Sequence, residues 1–206
     1  MARIQFYKPN PKTTGSACSF WSNVKDGALF GSFIKQSSWN DKTKTGSFKA
    51  NKENPTASTQ FKFNKNEVAE ILDCIESDRE FSGYHSTSKQ VTRFKFTPYS
   101  NAKGRVGFSY SVNKEDRDDS TNKASFIIGL TFGEARHLKE YLIYTLRSMF
   151  KHEDMEFSAN ESQPHSPTEE RRDNKNPENK RPENKKETSS VKLPSISDVL
   201  EDDEDW

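Results

Sequence analysis

The sequence has few of the residues that carry chemistry in enzymes and metal sites. Its 206 residues include only two cysteines and four histidines. Cys18 and Cys74 form no CxxC pair and have no metal-type spacing, which favours free thiols over a disulfide framework or a zinc site. The sequence also lacks a GxGxxG fingerprint and a glycine-rich phosphate-binding loop. It therefore predicts neither an enzyme nor a metal or cofactor site.

Long apolar runs are also missing. No stretch approaches the ~20 apolar residues of a membrane-spanning helix, and the opening MARIQFYKP contains no apolar signal core. These features predict a soluble cytoplasmic protein that has no membrane partner.

Charged and aromatic residues are distributed unequally along the chain. Residues 1–150 hold 23 Lys and Arg against 15 Asp and Glu, whereas residues 151–206 hold 9 against 16. Of the 24 aromatic residues, 22 lie in the first of these segments. A segment with so few apolar residues cannot offset its ordering entropy by burial. We therefore predict a folded domain over 1–150, a disordered linker over 151–197 and an acidic tip over 198–206.

Apolar residues at helical spacing predict two helices in the folded domain, over 64–78 and 131–150. Each begins at a capping box, in which a short polar side chain and a glutamate three residues later satisfy each other's backbone N–H groups. The two boxes are formed by Asn64 with Glu67 and by Thr131 with Glu134.

Several short apolar segments precede each helix, and turn-rich residues separate them, as expected of antiparallel hairpins. Strands followed by a helix, twice, predict an α+β fold of two antiparallel four-stranded sheets, each followed by a helix. The fourth strand of the first sheet is either 47–50 or 59–63.

Alternation along the strands of the second half predicts an apolar face and an open, basic face. In TRFKFT, the phenylalanines point one way while Arg93 and Lys95 point the other. The first half breaks this alternation, because ALFGSFIK places large apolar residues on both faces. In SFW, Phe20 and Trp21 must lie on opposite faces, and Trp39 lies in a polar run with little around it to bury the ring.

Exposed rings stack on unpaired bases at roughly 1–3 kcal/mol each, and cations follow the phosphates. This combination predicts a surface that binds single-stranded nucleic acid. The predicted stacking rings are Trp21, Phe30, Trp39 and Tyr84, and the predicted phosphate contacts are Lys35, Lys49, Lys62, Arg93 and Lys95. The alternatives are partly buried core or oligomer contacts for the rings and an ordinary solvated face for the cations.

The chain ends in DVLEDDEDW, in which six of nine residues are acidic and the last is tryptophan. Acids combined with apolar anchors suit a basic groove with a hydrophobic pocket. The same acids can fold back on the basic sheet and compete with nucleic acid. We predict that this tip binds partner proteins, although a merely solubilising terminus is an alternative. The residues concerned are Asp198, Glu201, Asp202, Asp203, Glu204, Asp205 and Trp206.

This basic domain with an acidic tail ending in a ring, carried by residues 198–206, resembles the single-stranded DNA-binding proteins of bacterial and bacteriophage replication. The bacterial type ends in Ile-Pro-Phe, which this chain lacks. The repeated unit of four strands and a helix, over about 1–150, resembles the Whirly and Pur-type families, which bind single-stranded nucleic acids.

The resemblance implies a protein that coats single-stranded DNA with little sequence preference in replication, recombination or repair. Its tail would recruit a polymerase, helicase or primase, its copies would oligomerise, and it would act in the cytoplasm of a bacterium or of a phage-infected host. Binding should weaken steeply with salt. Two other functions fit the same residues: an RNA-binding or transcription-regulating protein, and a protein–protein adaptor without nucleic acid.

Overall fold

A computed structural model describes residues 3–119 and 122–161 of the chain. The described strands are β1 (Arg3–Lys8), β2 (Ser16–Asn23), β3 (Ala28–Lys35), β4 (Ser38–Asn40), β5 (Thr45–Ser47), β6 (Ser58–Phe63), β7 (Phe81–Ser86), β8 (Gln90–Asn101), β9 (Gly104–Asp116) and β10 (Lys123–Thr131). The described helices are α1 (Lys65–Ser77) and α2 (Phe132–Glu161), and a short 3-10 turn covers Lys49–Asn51. One compact unit spans Met1–Asp154 and a second spans Met155–Trp206. Of the second unit, only the last turns of α2 are described.

The two four-stranded sheets have the same topology. The first has the strand order β1-β2-β3-β6 and the second has the order β10-β9-β8-β7, with every neighbouring pair antiparallel. In each sheet the last strand leads into a helix, β6 into α1 and β10 into α2. The predicted repeat is therefore confirmed. Its fourth strand in the first sheet is β6, because the alternative segment at 47–50 runs from the end of β5 into the 3-10 turn.

Both helices begin where their capping boxes predict. Asn64 Oδ1 accepts the N–H of Glu67 at 3.0 Å, and Glu67 accepts the N–H of Asn64 at 2.9 Å. Glu134 likewise accepts the N–H of Thr131 at 2.8 Å and donates its own N–H to the Thr131 hydroxyl at 3.3 Å. Within the described residues, neither helix is long and apolar enough to cross a membrane.

The predicted end of the second helix at residue 150 is too early. Helix α2 continues to Glu161. The segment beyond 150 is polar, but it contains Lys, Glu, Met and Ala, which are good helix formers. Adding residues to an existing helix is easier than nucleating one, so the helix extends past its last buried turn. The rest of the predicted linker and the acidic tip lie outside the described residues.

The inner faces of the two sheets share one core, which the apolar sides of α1 and α2 also enter. Tyr110 on β9 lies at its centre, with its ring stacked on Phe96 at 4.0 Å between centroids. From the first sheet, Phe33 contacts Tyr110 at 4.7 Å and Phe126 at 5.9 Å. The opposite face of each sheet points away from this core, and we call it the outer face.

The hydroxyl group of Tyr110 is buried in this core and has no hydrogen-bond partner among the described residues. Burial raises the pKa of Tyr110 well above its usual value. Leaving a buried hydroxyl unpaired costs about 1–3 kcal/mol. We therefore expect Tyr110→Phe to increase the free energy of unfolding by about 1 kcal/mol, measured by urea denaturation. A decrease of that size would contradict the absence of a partner.

The two cysteines are free, as predicted, and both are buried. Burial raises the pKa of the Cys74 thiol to about 11 and raises that of Cys18 as well. A thiol with a raised pKa is a poor nucleophile, because the thiolate is the reactive form. Cys18 and Cys74 therefore serve as small core residues.

Candidate nucleic-acid interface

The side chains on β7–β10 that point away from the core form a surface that we call the second-sheet face. Cross-strand pairing brings Tyr84, Arg93, Asn113 and Ser125 into one row across all four strands. The adjacent row consists of Ser82, Lys95, Ser111 and Ile127. The predicted alternation is confirmed here, because Arg93 and Lys95 lie on this face while Phe94 and Phe96 are buried on the other.

Small residues leave an open groove beside Tyr84. The groove has a volume of about 380 Å³ and is lined by Ser82, Gly83, Tyr84, Arg93, Phe94, Lys95, Ser111 and Asn113. Tyr84 is 69% exposed. A Cβ at Gly83 would lie 2.5 Å from the Phe94 ring, so glycine allows β7 to pack closely on Phe94 while Tyr84 stays outside. An exposed ring beside open space is what a base requires for stacking.

The cations around this groove are paired with carboxylates. Arg93 lies 3.3 Å from Glu115, which also binds Lys123 at 2.9 Å. On the other side, Lys95 binds Glu80 at 2.7 Å. Hydrogen bonds from Lys123 and Arg93 lower the pKa of Glu115, so this carboxylate stays ionised to a lower pH than an ordinary glutamate. The three cations and two anions leave the groove with a small positive charge.

The outer face of the first sheet contains a second set of predicted residues. Cross-strand pairing forms a row of Arg3, Trp21, Phe30 and Lys62. The Trp21 and Phe30 rings stack on each other at 5.7 Å between centroids, with an interplanar angle of 14°. Phe20 points to the core from the opposite face, as predicted.

The prediction that Trp21 and Phe30 are exposed is wrong. Only 5% of Trp21 and 4% of Phe30 are accessible. The two rings cover part of each other. Ser19 and Ser32, which form the adjacent row on the same face, are also buried and share a hydrogen bond of 2.8 Å. Neither ring offers a free face to a base in this structure, and their role in binding nucleic acid stays a prediction. Lys62, which pairs with Phe30 in register, is exposed.

Lys35 does not belong to either outer face. On β3 it has the same parity as Leu29 and Phe33, which enter the core. Its ammonium lies 5.0 Å from the centroid of the Phe126 ring, in a cation–π contact. As the last residue of the strand it remains half-exposed, which permits a long side chain to place its charge at the end of the core.

Trp39 and Lys49 lie in an insertion that the second repeat lacks. Residues 36–57 connect β3 to β6 and contain the β4–β5 hairpin and the 3-10 turn. Trp39 is half-buried, and its indole N–H donates to Asp41 at 3.2 Å. Lys49 is exposed, but it lies in the 3-10 turn and not on a strand of the sheet, which corrects the prediction. We call residues 36–57 the inserted hairpin.

A buried glutamine anchors the inserted hairpin. The Gln36 side chain accepts the N–H of Asn10 at 2.9 Å and donates to the carbonyl groups of Asn10 and Ser38 at 3.0 and 2.8 Å. It is 4% exposed, and three hydrogen bonds satisfy its amide. The insertion is therefore fixed to the end of β1 instead of extending freely from the sheet. A single Gln in a polar stretch gave no signal of this role in the sequence.

The structure therefore divides the nine predicted residues into separate sets. Tyr84, Arg93 and Lys95 share one groove, and the others lie on the first sheet, in the inserted hairpin or at the core edge. The reasoning from sequence missed Glu80, Glu115 and Ile127, although Ile127 is 62% exposed on the second-sheet face. The available signal was the period-two pattern of Ala124, Phe126, Ile128 and Leu130 along β10, which places Ile127 on the opposite face. The residues predicted to bind partners, Asp198 to Trp206, lie outside the described residues.

Two solved structures have a similar fold. The first is WHY1 from Arabidopsis thaliana, with a TM-score of 0.53, 12% identity, and alignment over 80% of this chain and 96% of that one. The second is the plant transcriptional regulator PBF-2, with a TM-score of 0.54, 12% identity, and coverage of 80% and 89%. No protein-family model matches the chain, and no curated protein matches it either. At this identity the likeness shows the fold alone, and it confirms the predicted Whirly-like architecture.

Proposed function

We propose that this protein binds single-stranded nucleic acid without catalysing a reaction, and that it coats single-stranded DNA during replication, recombination or repair. The observation that carries the proposal is the groove on the second-sheet face. It combines the exposed Tyr84 ring with Arg93 and Lys95 on neighbouring strands. Aromatic stacking platforms next to cations are the common means by which proteins bind unpaired strands with little sequence preference.

The geometry favours unpaired over paired bases. Inside a duplex, each base is stacked on its neighbours, so its flat faces are not accessible to a protein ring. Tyr84 stands on an open sheet face, where it can meet only a base that has left such a stack. Cations alone would attract duplex and single strands alike, because both present phosphates. Preference for the single strand must therefore come from the ring.

The direct test is a titration of the full chain with a fluorescently labelled oligo-dT, followed by anisotropy. Unlabelled single-stranded DNA, RNA of the same sequence and the matching duplex serve as competitors. We expect the single strands to compete and the duplex to compete poorly. A duplex that competes equally well contradicts the proposal, and the absence of any binding favours the protein–protein adaptor.

A second candidate function is RNA binding or the regulation of transcription. It is favoured by the likeness to PBF-2, which is described as a plant transcriptional regulator. The two candidates differ in sequence preference and in the preferred sugar. A coating protein should bind single strands of unrelated sequence with affinities within a few-fold of one another. A regulator should select one sequence, and an RNA-binding protein should be displaced best by RNA.

We also propose that the acidic tip recruits polymerase, helicase or primase. Deletion of residues 198–206 removes six acidic residues and the terminal tryptophan. We expect the truncated protein to bind oligo-dT with equal or higher affinity, because anions that compete with phosphate are lost. Its capture of purified replication proteins, measured by pull-down, should disappear. A loss of DNA affinity would show that the tip contributes to DNA binding.

A further inference from the structure

Each of the three cations around the Tyr84 groove already has an anionic partner. Glu115 binds both Arg93 and Lys123, and Glu80 binds Lys95. All three pairs lie at the surface, where the cation side chains are between 45% and 59% exposed. A phosphate that binds one of these cations must therefore either displace a carboxylate or share the cation with it, against the repulsion between the two anions.

The two carboxylates lie on opposite sides of the row that contains Tyr84. Glu115 pairs with Val91 and Lys123, in the adjacent row towards the end of β9. Glu80 immediately precedes β7 and reaches Lys95 from the other side. A strand that crosses the groove meets a carboxylate on either side of the ring.

The relative sizes of the ion-pair exchange and of base stacking determine which ligands the groove binds. Exchanging a carboxylate for a phosphate replaces one exposed ion pair by another, and such pairs change an equilibrium constant by at most about fivefold each. The net gain from the exchange is therefore close to zero. Stacking of one base on a ring contributes roughly 5- to 150-fold. Stacking thus outweighs the electrostatic exchange at this face.

We infer that Glu80 and Glu115 are specificity-determining residues of the groove: they cancel most of its attraction for phosphate, so that only a ligand whose bases stack on Tyr84 binds there. The inference rests on the proposed function and names what the site rejects. Polyanions without bases, such as inorganic polyphosphate, gain nothing in exchange for the displaced carboxylates. Cations without a carboxylate partner would make nucleic-acid affinity fall steeply with salt. Because the cations at this face are already paired, we expect affinity to depend less on salt there.

The test is the full chain carrying both Glu80→Gln and Glu115→Gln, probed with inorganic polyphosphate and with labelled oligo-dT. Freed of two competing anions, the three cations should bind polyphosphate up to about 125-fold more tightly, at no more than about fivefold for each of the three pairs. The slope of log affinity for oligo-dT against log salt should also steepen, by up to roughly 0.7 for each uncontested phosphate contact.

The control is the chain carrying Glu76→Gln and Glu153→Gln, which changes the net charge by the same amount elsewhere. Glu76 binds Lys139 at 2.9 Å, and Glu153 binds Lys65, so that this pair of substitutions breaks two ion pairs, against three in the test variant. An equal gain in the control would overturn the inference, because net charge alone would then explain it. Circular dichroism checks that both variants are folded.

The remaining outcomes separate the two proposals. If the unmodified chain fails to bind oligo-dT, the proposed function is wrong. If it binds oligo-dT but Glu80→Gln and Glu115→Gln change neither polyphosphate affinity nor the salt slope, only the present inference is wrong. Weaker binding in the double variant would likewise overturn it, because the carboxylates would then support the ligand.

Discussion

Tyr84→Ala is expected to weaken the binding of oligo-dT by roughly 5- to 150-fold, because stacking of one base on a ring contributes about 1–3 kcal/mol. Tyr84 is the ring in the groove, and it stands next to Arg93 in the register of β7 and β8. The other ring that lines the groove, Phe94, is buried and cannot replace the lost stacking. The measurement is fluorescence anisotropy at constant salt.

Two variants make this result specific. Tyr84→Phe keeps the ring and should retain most of the affinity. Tyr144→Ala removes a tyrosine that is 57% exposed on α2, away from the second-sheet face, and should have no effect. Comparable losses from Tyr84→Ala and Tyr144→Ala would place binding elsewhere on the molecule. Because Tyr84 is exposed, its removal should change the free energy of unfolding by less than about 0.5 kcal/mol.

Local periodicity was sufficient to predict the architecture. The alternation of Arg93, Phe94, Lys95 and Phe96 defined the two faces of β8, and each capping box located the start of a helix. These signals depend on neighbours within a few residues of the chain, so they are readable without tertiary contacts. The end of α2 was not predicted, because the helix beyond residue 150 is polar and has no apolar periodicity that marks it as helical.

The candidate site was harder to predict because it depends on which strands are neighbours. Glu115 and Lys123 are far from Arg93 in sequence, and only the register of β8, β9 and β10 brings the three together. Burial is equally nonlocal. Trp21 was correctly assigned to the face opposite Phe20, yet nothing in its local sequence shows that the ring stacks on Phe30 and is buried.

The same nonlocality applies to the inserted hairpin. Trp39 lies in a polar stretch, which suggested an isolated exposed ring. In the structure, Gln36 ties this segment to Asn10, which lies just beyond the end of β1. A segment that is polar in sequence can be ordered when one buried side chain satisfies several backbone groups at once. Ordering of this kind has no compositional signature.

Phe33→Ala is expected to lower the free energy of unfolding by about 3–5 kcal/mol, as for other large-to-small changes at buried phenylalanines. Phe33 is 1% exposed, and it is a point at which the first sheet contacts Tyr110 and Phe126 of the second. The measurement is urea denaturation followed by circular dichroism. Because domains of this size are stable by only about 5–15 kcal/mol, Phe33→Leu provides a milder substitution, with an expected loss of about 1 kcal/mol.

The oligo-dT affinity of the folded variants distinguishes a structural role for Phe33 from a role in binding. Phe33 lies on the inner face of the first sheet, so Phe33→Leu should leave oligo-dT affinity unchanged under conditions in which the protein is folded. Tyr84→Ala should show the opposite pattern, with affinity lost and stability kept. If both substitutions reduced affinity in proportion to stability, binding would depend on the integrity of the fold as a whole. If Phe33→Ala cost less than about 1 kcal/mol, the two sheets would not share the core that joins them here.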